Sequence, residues 1–412
     1  GTRSPGRWRA RRPVHPGSAP DLPENAPSGD APGVSATGPA AEVNDGVRDA
    51  VAEGTTVCAA SADTEDGTGV ARSVALVVLL ALAAVAVPLL GPSLALRGTG
   101  EAAAPGVGGI TALRAVLLAA LCVPVGEAYG AWLTRRVPTG PAPRLPPSRI
   151  GPAATAGFLA ALGLTAVVST GNLIPHRLSD LDLGGLYRTR DGVLALIEVN
   201  AFLLAALCAR TRRTVPRVAA PAAVIIAEAL RAHPAGEPSP LLGSALTAVH
   251  LTCAALWVGG LWQVLRTIRL WREPAGPGAP APAAASALLA GYARVAAALL
   301  ATVWLTGMVS AVRRMPLDTV LGQLPTTAYG RTLLAKALVV AVAAALALSA
   351  RRRLTAPAPR FLTPPWVRAR ARPRGARDPL GACTPARLEL VVLGTVVVGS
   401  ALLTALPVPI RW

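Results

Sequence analysis

Two side chains that can bind a metal ion lie three residues apart in an apolar stretch of this chain. The segment LTAVHLTCAALWVGGLWQVL, residues 246–265, carries His250 and Cys253, and Trp257 follows on the same helical stripe. Sulfur favours Cu(I) and imidazole accepts either copper oxidation state, so the pair suits a transition metal better than Mg²⁺ or Ca²⁺. In the alternative, His250 donates to a backbone carbonyl or to Glu198, and Cys253 packs as a small apolar side chain.

Further polar side chains fall at a similar depth if the apolar stretches are membrane-spanning helices. At 1.5 Å per residue, His250 lies about 13 Å below one membrane face, and Glu198 and Lys336 lie about 8 to 10 Å below it. Met308 lies about 6 Å from the same face, and Glu228 is shallower. An ionisable group in hydrocarbon costs roughly 3 kcal/mol or more. We therefore interpret Glu198, Lys336 and Glu228 as an interhelical charge pair or a polar path.

The elements that must position these groups are long apolar runs. The chain has 412 residues, of which 52% are hydrophobic and 15% charged. A helix needs about 20 apolar residues to cross about 30 Å of hydrocarbon. We predict an all-α, polytopic transmembrane bundle of about nine spans, at residues 73–96, 112–133, 153–173, 192–209, 216–230, 241–265, 295–312, 332–350 and 388–406.

The composition divides the chain into three parts. Residues 1–70 are rich in Pro, Gly, Ala and acids and lack apolar periodicity, which predicts a disordered tail. Residues 71–210 would hold spans one to four, and residues 211–412 would hold spans five to nine. A start site near the first span would make that span resemble a cleaved signal peptide and would leave eight spans.

The net charge of +18 is concentrated in alternate loops. Four loops, at 135–149, 210–217, 266–273 and 351–378, hold 20 arginines. The positive-inside rule places these loops in the cytoplasm, with a cytoplasmic N-terminus and an extracytoplasmic C-terminus. Thirty-nine arginines against one lysine also suggest GC-rich bacterial coding, hence a bacterial plasma membrane. Membrane lipid, rather than nucleic acid, is the expected partner of this charge.

The remaining motifs give little chemistry. The five cysteines form no CxxC pair, and hydrolase, phosphate-loop and dinucleotide motifs are missing, so we expect no enzyme. His233 falls in an outer loop, where a solvated histidine is the simplest reading. Arg387 and Glu389 are expected to form a charge pair at the membrane interface.

Several blocks of this sequence resemble the copper resistance D (CopD) family of bacterial membrane proteins. They read AHPAGEPSPLLGSALTAVHLTCAALWVGGLW, LTGMVSA, AYGRTLLAKALVV and SARRRL, and the similarity is specific over 233–353 and looser over 73–405. The family's H-x6-W-x-G-G motif falls on His250, Trp257, Gly259 and Gly260. Its loop histidine falls on His233, and its G-R-x-L-L-x-K motif falls on Gly330, Arg331 and Lys336.

The resemblance implies an inner-membrane protein that handles copper, Cu(I) or Cu(II), delivered from the outer side, with import as the expected direction. The expected ligands are His250, assisted by His233, Cys253 and Met308. Some family members carry a fused copper-binding β-sandwich, which this sequence lacks, so a separate extracytoplasmic donor protein is expected.

Two other functions are compatible with these residues. One is an assembly factor that passes copper to a membrane enzyme without net transport. The other is a haem or redox membrane protein, for which bis-histidine ligation would need two axial ligands, whereas only His250 lies inside a predicted span.

Overall fold

The computed structural model describes most of the chain beyond the N-terminal region. The described residues are 74–102, 105–137, 144–173, 177, 182–211, 214–234, 236–237, 239–272, 282–315, 318–355 and 379–406. The predicted tail at 1–70 lies outside them, as does most of the basic loop at 351–378. The division of the chain into three parts stays a prediction.

Every regular element among the described residues is an α-helix. Eleven helices follow one another, at α1 Val74–Leu96, α2 Val107–Thr134, α3 Ile150–Thr170, α4 Leu183–Arg188, α5 Arg190–Leu207, α6 Thr214–Arg231, α7 Pro240–Arg272, α8 Pro282–Arg314, α9 Val320–Thr326, α10 Ala328–Thr355 and α11 Pro379–Ala405. The all-α prediction is therefore confirmed for this part of the chain.

Seven of the described helices are long and apolar enough to cross a membrane, namely α1, α2, α3, α7, α8, α10 and α11. This confirms a multi-pass membrane protein, but the predicted count of nine spans is not confirmed. The difference lies in α5 and α6, at two of the predicted spans. Each has 18 residues and carries three charged side chains, so charge interrupts the apolar run.

Local sequence signals explain several helix ends. The side chain of Thr189 accepts a hydrogen bond from the Gly192 amide at the start of α5, which satisfies one of the free amides of a helix N-terminus. Helix α3 ends at Gly171, whose φ of 71° lies in the left-handed region that glycine adopts without a steric penalty. These residues determine where the helices begin and end, whereas packing between the helices holds the bundle together.

Helix α2 connects two apolar clusters. One cluster packs α7, α8 and α11 together and includes Leu261, Leu288 and Leu393. The other packs α2, α3, α5 and α6 together and includes Leu121 and Phe202. Helix α2 contributes Leu133 to the first cluster as well as Leu121 to the second, so it lies at the centre of the bundle.

Candidate functional site: a polar cavity at one end of the bundle

A cavity of about 340 Å³ opens among α2, α6, α7, α8, α10 and α11. Its lining comes from the first halves of α2, α7 and α10 and from the last turns of α6, α8 and α11. Consecutive long helices run in opposite directions, so these segments all lie at one end of the bundle. We call this end the cavity end.

His250 lines the cavity from α7. Its Nδ1 lies 2.9 Å from Oγ1 of Thr306 on α8, and that hydroxyl donates its proton to the carbonyl of Thr302 at 2.7 Å. Because a hydroxyl has one proton, Oγ1 accepts from Nδ1–H. In a neutral ring this hydrogen bond places the proton on Nδ1 and the lone pair on Nε2, while the ring also contacts the backbone of Val303.

Of the two interpretations of Glu198, Lys336 and Glu228, a charge pair between Glu198 and Lys336 does not form, because Glu198 pairs with Arg231. Glu198 on α5 is 1% exposed, and its carboxylate lies 3.0 Å from the guanidinium of Arg231 on α6. Arg231 also lies 3.4 Å from Glu228, which in turn lies 3.4 Å from Arg114 on α2. The buried carboxylates thus join α2, α5 and α6 into one ion-pair network, in which pairing offsets much of the cost of burying charge.

Lys336 lies elsewhere on the cavity wall, on α10. Within the described part of the chain, no carboxylate forms an ion pair with it. Arg314, at the end of α8, also lines the cavity; it donates to the carbonyl of Ala232 at 3.4 Å and faces the ring of Tyr329 at 6.0 Å. Neither cation has a carboxylate partner among the described residues.

His233 is buried, with 2% of its surface exposed, so the expectation of a solvated loop histidine is wrong. Its Nδ1 lies 2.6 Å from a carboxylate oxygen of Glu237, and its Nε2 lies 3.0 Å from the hydroxyl of Thr247. Both ring nitrogens are therefore occupied, which leaves none for copper or haem. His233 fastens the loop after α6 to the start of α7.

The other two expected ligands lie away from the cavity. Cys253 packs against the apolar cluster of α7, α8 and α11, as the alternative interpretation had it. Met308 is 60% exposed on the outer surface of the bundle. Of the four expected ligands, only His250 lines the cavity. Among the described residues, no three His, Cys, Asp or Glu side chains are grouped to hold a metal ion.

One sulfur does line the cavity, but it comes from a cysteine that the sequence analysis did not select. Cys122 is buried on α2 and lines the same cavity as His250 and Lys336. It lies eight residues after Arg114, a spacing that returns to the same face of a helix. That periodicity in the second predicted span is the signal that could have identified both residues.

The cavity ends where α2 and α7 come into backbone contact. The Cα of Gly126 packs directly against Gly259, and a Cβ added to Gly259 would overlap the carbonyl oxygen of Cys122. At the next residue, a Cβ on Gly260 would lie 2.8 Å from the ring of Tyr129. The two motif glycines therefore permit a close helix crossing, which forms the floor of the cavity.

At the level of this floor, Trp257 is buried and its Nε1–H donates to Glu389 on α11 at 3.1 Å. The carbonyl of Trp257 accepts from the hydroxyl of Tyr292 on α8 at 2.7 Å. Glu389 is 3% exposed, so the expected interfacial pair with Arg387 is wrong. Trp257 instead links three helices through polar contacts.

The motif residues at the start of α10 hold helix ends together. Arg331 donates from Nε to the carbonyl of Pro325 and from a terminal nitrogen to the carbonyl of Arg97, each at 2.6 Å. Gly330 lies against the backbone of Gln323 and Leu324, where a side chain would not fit. These contacts position α9 and the end of α1 against α10, and so support the helix that carries Lys336.

Comparison with known families identifies part of the chain. The sequence profile described as copper resistance protein D, CopD, matches residues 286–403, which extend from α8 to α11. No curated protein and no solved structure shows significant similarity to the chain. The matched region supplies Thr306, Arg314 and Lys336, and with them the α8, α10 and α11 walls of the cavity.

Proposed function

We propose, from the match of residues 286–403 to the copper resistance protein D family, that this multi-pass membrane protein receives copper in the cavity and moves it towards the cytoplasm. The observation that carries the proposal is the ring of His250, whose hydrogen bond through Nδ1 leaves the lone pair of a neutral imidazole on Nε2. His250 lies at the cavity wall, and the Thr306 that orients its ring belongs to the family-matched region.

The chemistry of the cavity lining fits copper as cargo better than as a tightly held cofactor. His250 offers one imidazole nitrogen, and Cys122 is the one sulfur among the described lining residues. Both are ligand types that copper accepts. Two ligands leave a copper ion incompletely coordinated, so copper would keep ligands of its own while it occupies the cavity.

The charge pattern of the loops supports delivery from outside. The arginine-rich loops follow α2, α5, α7 and α10, and precede α3, α6, α8 and α11, at the end opposite the cavity. The positive-inside rule therefore assigns the cavity end to the extracytoplasmic side of a bacterial plasma membrane. A separate copper-binding protein on that side is the proposed donor, and anionic lipid headgroups are the proposed partners of the basic loops.

A second function is favoured by the cavity floor. The Gly126–Gly259 contact lies directly beyond the last lining residues of α2 and α7, so net transport along these helices would require this crossing to open. A protein that accepts copper and returns it to a partner on the same side would not require that opening. Copper flux into liposomes distinguishes the two functions, because only the transporter fills the lumen.

The decisive experiment compares copper retention and uptake in wild type and His250→Ala. We expect the purified variant to retain much less copper per chain, and cells that express it to accumulate less copper at equal protein level. Met308→Leu is the matched control, because Met308 lies on the outer surface. Equal retention and uptake by wild type and His250→Ala would overturn the proposal.

A further inference from the structure

The cavity wall carries more positive than negative charge. Four cations line it, namely Arg114, Arg231, Arg314 and Lys336, and Glu228 is the one carboxylate in the lining. Glu198 adds a second carboxylate behind Arg231. Arg114 and Arg231 are matched by these two carboxylates, so Arg314 and Lys336 contribute an excess of two positive charges when His250 is neutral.

An excess of this kind is costly in a membrane protein. Each charge without a counter-charge in a low-dielectric site loses hydration that carbonyl groups and aromatic rings replace only in part. The same charge repels a bare copper ion, because like charges interact strongly in a low-dielectric site. An anion in the cavity would relieve both effects.

The size of the cavity leads to the same conclusion. A volume of about 340 Å³ is far larger than a metal ion needs. It falls at the lower end of the range of small-molecule sites, roughly 300 to 1,000 Å³. The wall that carries Lys336 and Arg314 also carries apolar side chains, such as Leu333 and Leu403, as is common in sites for small organic ligands.

We propose that the cavity binds a small carboxylate anion through Lys336 and Arg314, and that copper reaches His250 as an anionic chelate of such a carboxylate. The delivery of copper as a chelate, the second half of this proposal, rests on the proposed function. The binding of a carboxylate in the cavity, the first half, does not. A guanidinium and an ammonium both form strong charge-assisted hydrogen bonds to a carboxylate. A chelating carboxylate also supplies the oxygen ligands that Cu(II) accepts beside an imidazole nitrogen.

Binding of copper-free citrate to the purified full chain in detergent tests the first half. We expect wild type to bind citrate, Lys336→Met to bind it about tenfold more weakly, and Lys336→Arg to retain most of the affinity, because a lost charge-assisted hydrogen bond costs about that much. Arg136→Met is the matched control, since Arg136 lies over the ring of Trp132 at the opposite end. Arg314→Met provides a second variant if Lys336→Met does not fold.

Copper retention from two sources then separates the two halves. We expect Lys336→Met to retain less copper from Cu(II)–citrate than wild type, but at least as much from a non-coordinating buffer, because the variant no longer repels the bare ion. A misfolded variant would retain less copper from both sources. Lower retention from Cu(II)–citrate together with unchanged or higher retention from the buffer therefore identifies a charge effect.

The remaining outcomes distinguish the carboxylate inference from the copper proposal. Citrate binding that depends on Lys336, without copper retention, supports the carboxylate site and contradicts the copper proposal. His250-dependent copper retention that is the same from both sources, with no citrate binding, overturns the carboxylate inference and leaves the copper proposal standing. Binding of inorganic phosphate by the purified protein, without binding of citrate, would overturn the assignment to carboxylates.

Discussion

The two sides of the Gly126–Gly259 crossing treat polar groups differently, although the same helices form both. On the side away from the cavity, the carboxylate of Glu389 accepts from Trp257, and Glu127 lies 3.6 Å from Arg266. On the cavity side, Lys336 and Arg314 have no carboxylate partner among the described residues. A bundle that gives these buried carboxylates partners on one side and leaves two cations without a carboxylate on the other points to the second side as the place where a ligand binds.

The largest expected effect comes from filling the crossing that separates the two sides. Gly259→Leu would place a side chain into the carbonyl of Cys122 and the backbone of Gly126, so we expect a loss of more than about 3 kcal/mol and little folded protein. Yield of monodisperse protein after detergent extraction measures this effect.

Gly399→Ala is the control for that change, because an added Cβ there meets no atom within 4 Å. It should change stability by no more than about 1 kcal/mol. Normal yield of Gly259→Leu would show that α2 and α7 do not touch at this point.

A smaller effect is expected from the ion-pair network beside the cavity. Glu198→Ala leaves Arg231 with one carboxylate instead of two, and we expect a loss of about 2 to 3 kcal/mol, since removing one partner leaves buried charge uncompensated. Thermal unfolding of the purified protein measures it.

A double-mutant cycle of Glu198→Ala with Arg231→Met tests whether the two side chains interact. The double variant should lose less than the sum of the single losses. Strict additivity would show that the pair is not formed.

The side away from the cavity can be tested at Trp257. Trp257→Phe keeps an aromatic ring but removes the donor to the buried Glu389, and we expect a loss of about 1 to 2 kcal/mol in thermal unfolding. Adding Glu389→Leu should restore part of that stability, because the carboxylate that lost its donor is removed as well. If the second change makes the loss larger, the hydrogen bond is not the cause.

The smallest change concerns the orientation of His250. Thr306→Val removes the acceptor for Nδ1–H, so we expect copper to bind about tenfold more weakly while protein yield stays near wild type. Thr306→Ser should behave like wild type, since it keeps the hydroxyl. Competition with a copper chelator of known affinity provides the measurement, and equal affinity in all three proteins would remove Thr306 from the site.

Helix type and approximate position could be predicted because apolar runs of about 20 residues have few structural solutions in a membrane. The number of spans could not, because α5 and α6 mix apolar residues with charges whose partners lie on other helices. The extension of α8 back to Pro282 was missed because its first residues are alanines, which mark a helix but not a membrane span.

The candidate site was predictable only in part. Depth along each helix identified His250, Lys336 and Glu198 as groups near one membrane face, but depth does not specify rotation about the helix axis. Rotation is what turns Met308 outwards and Cys253 into an apolar cluster. The rotation of each helix depends on contacts between helices that are distant in sequence, and these contacts cannot be read from a single sequence.

The position of Lys336 also has a practical consequence. It carries the one lysine ε-amine in 412 residues, so an amine-directed fluorophore can mark no other side chain. With the terminal amine blocked, labelling from either face of a sealed vesicle would reveal the direction from which solvent reaches the cavity, and protection from labelling would report occupancy without a radioactive or coloured ligand.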